Sequence, residues 1–326
     1  MNLNKLIKPI DRRYAGDYGS TEGYIPVCRS EDEEEAEDML EEMENDLDKA
    51  IKYEGGSMRY LITGGTGSFG KKYVKWLTEN TDAEIVVFSR GEEKQWKMKK
   101  EFPNVEYVIG DIRDSDSINR VVEGCTHVIH AAALKHVATG ENQPWETIQT
   151  NIIGTQNVVD SSYFHRAKMV LLSTDKAVQP VNLYGASKMA AEKITIKGGQ
   201  RVTRWGNVFG SSGSILHIFK QQAATGDLFT ITDKRMTRFI ITYDEAIEVV
   251  NFALAHQSGY FLPDNLKAIN ITDLAYAFDE NAEFSEMGIQ PGEKLDELLS
   301  FDPVISSKHC SKYTVEEIRG LINASL

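Results

Sequence analysis

Three features of the sequence predict an α/β fold with a doubly wound, parallel sheet. Short apolar runs rich in β-branched residues alternate with segments of helical length over residues 58–173, the pattern of successive βαβ units. The first run passes directly into a turn with glycines at 64, 65, 67 and 70, and then into a helix opening near Ser68. The 326 residues, 41% hydrophobic and 26% charged, supply a sizeable core for one large domain or two modest ones. The pattern is Rossmann-type, with a smaller C-terminal region and an acidic N-terminal extension.

In chain order, residues 1–57 form that extension, with 16 acidic and 7 basic residues. Residues 1–30 show neither a helical nor a strand period and read as a loosely structured arm. Residues 31–48 hold 12 acids and no base, and Met39, Met43, Leu47 and Ile51 recur every four residues. That spacing places them on one stripe of an acidic amphipathic helix; a solvated acidic tail fits the composition equally well. Glu54-Gly55-Gly56-Ser57 reads as a linker.

Residues 58–210 form the main domain, with strands expected at 60–63, 84–89, 105–109, 126–130 and 169–173. Residues 211–326 read as a smaller, lid-like region with helices at 215–224, 244–256 and 315–322 and a strand around Phe229.

Composition excludes several classes of function. The formal charge of −13 repels a phosphate backbone, so no nucleic-acid partner is expected. Cys28, Cys125 and Cys310 are too few and too scattered for a disulfide scaffold or a metal site, which fits a reducing cytoplasm. None of the 7 histidines falls in a ligand-spaced cluster, so no metal is expected. His127 and His130 read as packing or backbone-capping residues. No apolar run approaches the ~18 residues of a membrane span, and the start lacks the apolar core of a signal peptide.

The glycine turn carries the first functional prediction. A strand, a tight glycine turn and a helix N-terminus let the backbone approach a pyrophosphate and offer it free N–H groups and the positive end of the helix dipole. Gly64, Thr66, Gly67, Ser68, Phe69 and Gly70 are thus the expected dinucleotide cradle. At the end of the second strand stands Ser89-Arg90 instead of an acid, with Lys94 a turn later. A guanidinium there suits a 2′-phosphate, which favours NADP. Asp111, followed by Ile112, is placed either to accept from the adenine amino group or to cap the next helix.

The second prediction concerns chemistry. Ser173-Thr174-Asp175-Lys176 follows an apolar strand, and Tyr184 comes eight residues after Lys176. Tyr184 and Lys188 are four apart on one helical face, where the ammonium is expected to lower the phenol's pKa from about 10 toward a useful base. Asp175-Lys176 reads equally as an acid and base pair or as a surface ion pair.

These landmarks resemble those of the extended short-chain dehydrogenases, and within them the soluble, configuration-inverting nucleotide-sugar 4,6-dehydratases that act on UDP-N-acetylglucosamine. The likeness covers residues 58–299 and includes His130-Ala131-Ala132-Ala133-Leu134-Lys135, Asn151-Ile152-Ile153-Gly154-Thr155, Arg204-Trp205-Gly206-Asn207, Met236-Thr237-Arg238-Phe239 and Pro291-Gly292-Glu293-Lys294. The branch is set by Tyr184, where membrane-anchored and several retaining relatives carry Met.

The resemblance implies that Tyr184, assisted by Lys188, takes the 4-hydroxyl proton, and that Lys176 removes the proton on C5. Asp175 then protonates the departing 6-hydroxyl, and Lys176 reprotonates C5 from the opposite face. It also implies that Ala131, Ala132 and Ile112 border the cofactor and Thr174 the sugar 4-position, while Lys135, Asn207, Arg238 and Glu293 contact the nucleotide sugar. A homo-oligomer is implied too. Two positions depart from the family pattern, Ser212 and Gln290, each standing where an arginine is usual. Rival readings are a nucleotide-sugar 4-epimerase or retaining dehydratase, which needs Tyr184 and Lys188 but not Lys176, and a non-catalytic NADPH-binding regulatory protein.

Overall fold

The computed structural model describes residues 7–9 and 57–325 except 212, 265 and 302. The acidic helix expected after residue 30 lies outside the described residues. The strands are β1 (Ile7–Pro9), β2 (Arg59–Thr63), β3 (Glu84–Ser89), β4 (Glu106–Ile109), β5 (His127–His130), β6 (Lys168–Thr174), β7 (Arg201–Trp205), β8 (Asn207–Val208), β9 (Phe229–Ile231), β10 (Thr237–Ile241), β11 (Gly259–Pro263), β12 (Lys267–Asn270), β13 (Phe284–Glu286), β14 (Leu298–Phe301) and β15 (Val304–Ser306). The helices are α1 (Ser68–Asn80), α2 (Glu92–Glu101), α3 (Ser115–Val122), α4 (Val137–Asn142), α5 (Pro144–Ile148), α6 (Gly154–Phe164), α7 (Leu183–Lys197), α8 (Ile215–Thr225), α9 (Tyr243–Ala255), α10 (Ile271–Phe278) and α11 (Val315–Ser325).

The main sheet runs β1-β11-β7-β6-β5-β2-β3-β4, with every pairing parallel except that of β1 with β11. Its central strands are apolar on both faces because helices cover both. In β2, Leu61 packs with Phe88, Val128, Met169 and Leu171 on one side, while the adjacent Ile62 packs with Tyr73, Leu77, Val87 and Val170 on the other, the alternation of an extended strand. The chain winds outward from β2 through β3 to β4 and then returns to the opposite side of β2 as β5. That reversal opens a crevice at the carboxyl ends of β2 and β5, where α/β folds bind ligands.

The five strands expected before residue 174 are present, each with its ends within one residue of the expected ones. Two features of the chain differ from the expectation. Ile7–Pro9, in the arm, adds an antiparallel edge strand along Phe261 to Pro263; three residues carry no readable period, and the open edge of β11 supplies the pattern. The region after residue 210 also contributes α9 and β11 to the main sheet and its core, so only part of it stands apart. That part has its own core, built from Phe219, Phe229, Ile240, Leu274 and Ile318 among others, with the sheet β12-β10-β8 beside it.

Candidate active site

A cleft of about 1500 Å³ runs from the glycine turn after β2, across the carboxyl ends of the sheet, to the C-terminal lobe. Its first wall is the turn itself. Gly64 has φ +65°, and a Cβ there would stand 2.8 Å from the Ala132 backbone; one on Gly70 would stand 2.5 Å from Gly65 Cα. Both positions therefore demand glycine. Gly67 caps α1 without offering a side-chain acceptor, so the helix leaves its first N–H groups to the cleft. Thr66, Ser68, Phe69, Ile112, Ala131 and Ala132 line the same space.

At the outer end, Gln95 is buried and holds the end of β3 by donating to Ser89 O at 3.1 Å, Ser89 Oγ at 3.0 Å and Val108 O at 2.8 Å. Arg90 and Lys94 line the cleft beyond it. The Arg90 guanidinium lies 3.9 Å from Asp111 Oδ2. Burial acts to raise the pKa of Asp111, but hydrogen bonds from the Arg113 side chain and backbone, with Arg90 adding its charge, bring it below the ordinary value. Asp114, accepting from the N–H groups of Asp116 and Ser117, caps α3. The carboxylate of Asp111 instead faces the two arginines.

The catalytic end is built where β6 runs into a single tight turn, Asp175–Ala177. Asp175 is fully buried behind the cleft wall. Its Oδ1 accepts from Thr174 Oγ1 and from Lys176 Nζ, both at 3.0 Å, whereas Oδ2 has no protein partner among the described residues. Lys176 Nζ reaches into the cleft, also 3.4 Å from Asn207 Oδ1 and 3.6 Å from Glu297 Oε1. Burial favours its neutral form, but Asp175 and Glu297 outweigh burial and raise its pKa. Lys176 therefore rests as an ammonium, not as the free amine that a base requires.

Tyr184, in the first turn of α7, lines the cleft beside Thr174 and Lys176. Burial pushes its phenol up to about 12, opposed by the Lys176 charge and a hydrogen bond with Thr174. This corrects the expectation that Lys188 brings the phenol toward neutrality. Lys188 is buried and donates to Leu172 O at 2.7 Å, and burial moves its own pKa down to about 8. The desolvation of the phenol outweighs its cationic neighbours.

The residues expected around a nucleotide sugar divide. Lys135, Asn207, Arg238 and Glu293 all line the cleft. Arg238, however, donates to the carbonyls of Thr237, Leu295 and Lys294 at 2.7, 3.0 and 2.9 Å, so it ties the 294–295 segment to β10. Gln290 is exposed and turns back onto Gly288 O at 3.0 Å; residue 212 is outside the described residues.

Sequence reasoning named Asn151 only as a family landmark and did not find the groups that hold these side chains in place. Asn151 sits in a wide helical turn, Gln149–Ile153, and bridges Leu134 to Ser187 on α7 through bonds of 2.8 to 2.9 Å. Glu297, which meets Lys176 across the fold, and Glu192, which meets Ser173 and Arg204 from neighbouring elements, are the other two. Among the described residues, no cluster of ligating side chains could hold a metal, and no helix is long and apolar enough to cross a membrane.

His127 and His130 are both buried in β5. His130 pairs with Thr63 Oγ1 at 2.7 Å and Thr155 Oγ1 at 3.0 Å, and burial, with Lys188 nearby, pushes its pKa from 6.5 down to about 3. The folded state holds this ring neutral, so its contribution to stability is complete above the unfolded value and is lost as pH falls toward the folded one, by about 1.4 kcal/mol per pH unit. His130→Gln is expected to flatten the fall of the urea midpoint between those two values. An unchanged slope contradicts the assignment.

The chain is similar to known proteins along this same architecture. The model of the family described as polysaccharide biosynthesis protein matches residues 60–317. UDP-N-acetylglucosamine 4,6-dehydratase (inverting) of Campylobacter jejuni is 44% identical over 255 residues, covering 73% of this chain and 76% of its own. UDP-glucose 4-epimerase of Rickettsia conorii is 37% identical over 273 residues, covering 77% and 79%. Among solved structures, Pen from Bacillus thuringiensis superposes with a TM-score of 0.77 at 30% identity, covering 83% of this chain and 99% of that one. The Thermus thermophilus UDP-glucose 4-epimerase complex with NAD gives 0.68 at 21% identity, with 82% and 98% covered, a likeness of fold. Matched over most of its length and on the elements that build the cleft, the chain is an enzyme of the polysaccharide biosynthesis protein family.

Proposed function

We propose that the enzyme removes water across C5 and C6 of UDP-N-acetylglucosamine and inverts C5, giving a UDP-linked 4-keto-6-deoxy-N-acetylhexosamine. The observation that carries this reading is the Lys176–Asp175 pair, 3.0 Å apart, with Lys176 beside Tyr184 on the cleft and Asp175 directly behind its wall. The 44% identity to an inverting UDP-N-acetylglucosamine 4,6-dehydratase supports it.

The glycine cradle fits a dinucleotide, since a Cβ on Gly64 would fill the space the backbone keeps open and the N-terminus of α1 presents uncapped donors. When bound, a nicotinamide supplies the hydride acceptor for C4 and the hydride donor for C6. The chain's own residues move the protons. Tyr184, as the phenolate left when its own proton passes to solvent through the open cleft, takes the proton of the 4-hydroxyl, and the ketone then acidifies the hydrogen on C5. Lys176 Nζ removes that hydrogen once its own proton has passed to Asp175 Oδ1. This single shift turns an ammonium and a carboxylate into a free amine and a carboxylic acid, the base and the acid that elimination requires. Asp175 then protonates the 6-hydroxyl, which leaves as water, and Lys176, now an ammonium, returns a proton to C5 of the resulting double bond on the opposite face.

Arg90 and Lys94 support NADP over NAD, because no acid occupies the end of β3 and two cations stand on the cleft wall. Arg90→Asp is expected to weaken NADP binding about 10- to 100-fold, the range of one charge-assisted contact, while NAD binding changes little. Calorimetric titration of both cofactors checks this. Equal losses for the two would remove the 2′-phosphate assignment.

Mass spectrometry of the nucleotide sugar, with proton NMR to distinguish C4 epimers of equal mass, tests the reaction. UDP-N-acetylglucosamine incubated with the enzyme is expected to lose one water. An isobaric product epimeric at C4 would instead support the epimerase reading, which the Rickettsia relative represents, and an unchanged substrate would contradict both.

A further inference from the structure

Glu297 reaches the catalytic end of the cleft from just before β14. It is buried, at 3% exposure, and its backbone is fixed on both sides by Ser307, whose Oγ accepts from Glu297 N–H at 2.8 Å and whose N–H donates to Glu297 O at 2.9 Å. Ser307 Oγ in turn pairs with Thr237 Oγ1 at 2.7 Å. The carboxylate thus has little freedom. Oε1 lies 3.6 Å from Lys176 Nζ and Oε2 lies 3.4 Å from Lys294 Nζ, and Lys294 is itself tethered to Val178 O at 2.7 Å. A buried carboxylate set between two cations, with no hydrogen-bond partner for Oε2 among the described residues, needs a reason, because an ion pair of this kind contributes little net stability.

The geometry around Lys176 supplies that reason. The Lys176 ammonium donates to Asp175 Oδ1 at 3.0 Å and Asn207 Oδ1 at 3.4 Å, and Glu297 Oε1 stands 3.6 Å away as an ion-pair partner. Asp175 exchanges its proton in the reaction, and Asn207 is neutral. Glu297 is a second negative charge that the elimination does not consume. Arg238 opposes it with positive charge, Tyr184 also couples to Lys176, and Lys294 offsets Glu297 from its other side.

We propose that Glu297 is a positioning residue that holds Lys176 against the cleft and stabilises its ammonium, with Lys294 as the opposing charge. The proposal rests on the dehydratase reading for the step it serves, while its electrostatic part can be measured without turnover. Removing the charge of Glu297 leaves Lys176 with one carboxylate, so the free amine appears at lower pH. Removing the charge of Lys294 does the reverse.

Two pH titrations on the full-length protein test this: acylation of Lys176 by a small amine-reactive ester, followed by peptide mass spectrometry without cofactor or substrate, and kcat/KM for UDP-N-acetylglucosamine dehydration. In Glu297→Gln, the labelling midpoint and the alkaline limb of kcat/KM, where the pair loses the proton that Asp175 must receive, are expected to move down by about one pH unit. In Lys294→Met both are expected to move up, and Glu297→Asp is expected to restore the wild-type position. A loss of packing alone would not move the two variants in opposite directions. A wild-type midpoint in Glu297→Gln, or movement of both variants in the same direction, overturns the proposal. If Glu297→Gln does not fold, a midpoint in Lys294→Met that stays put or falls overturns it equally. Midpoints that move as expected in a protein that leaves UDP-N-acetylglucosamine unchanged would support the charge coupling and overturn the dehydratase reading.

Discussion

Lys176→Met is expected to lower dehydration of UDP-N-acetylglucosamine by about 10²- to 10⁴-fold, the range typical of losing a positioned acid or base, with cofactor affinity close to wild type and a lower melting temperature, because the buried Asp175 loses its cation. Met keeps the stem of the side chain and removes the group that takes the C5 proton. It also strands Asp175, whose Oδ1 otherwise pairs with Lys176 Nζ at 3.0 Å and whose Oδ2 has no protein partner among the described residues. The variant therefore has no base for the C5 hydrogen. Chemistry at C4 depends on Tyr184 and is spared. A Lys176→Met enzyme that still makes 6-deoxy product at more than a tenth of the wild-type rate would contradict the role given to Lys176.

The second large effect is on stability. Arg204→Met is expected to destabilise the fold by about 3 to 5 kcal/mol, the usual consequence of removing one partner from a buried ion pair. Arg204 Nε and Nη2 donate to Glu192 at 3.0 and 2.5 Å, and Nη1 donates to Leu299 O at 2.9 Å. Glu192 also accepts from Ser173 Oγ at 2.5 Å, and both charged residues are buried. The network joins the end of β6, the helix that carries Tyr184 and Lys188, and the strand that follows Glu297. Urea unfolding measures the loss. The double variant Glu192→Leu with Arg204→Met is expected to be less destabilised than Arg204→Met alone, because no unpaired charge is left buried; additive losses would contradict the pairing.

Those two effects also show which parts of the protein were legible from sequence. Strands such as β2 and β5 could be placed to within a residue because both of their faces are buried, so apolar runs bounded by turns mark them directly. The glycine turn was legible because Gly64 and Gly70 face backbone at distances that admit no side chain. Asp175, Lys176 and Tyr184 were legible as residue types at the end of a strand. Their electrical state was not. The phenol of Tyr184 lies well above neutrality because folding buries it, and no spacing rule reports desolvation. Glu297 stands 121 positions after Lys176, and Glu192 meets Arg204 only because α7 packs on β7. Such partners are chosen by tertiary contact, which leaves no periodic trace. Ile7–Pro9 escaped for the same reason, since a three-residue edge strand takes its register from β11.

The most direct single measurement is an NMR spectrum of the product formed from UDP-N-acetylglucosamine in heavy water. The expected product carries a methyl group at C6, a deuterium at C5 and the inverted C5 configuration, since solvent exchanges with the proton that Lys176 removes and returns. A product that keeps the original hydrogen at C5, or that retains its configuration there, would contradict the role given to the Lys176 and Asp175 pair.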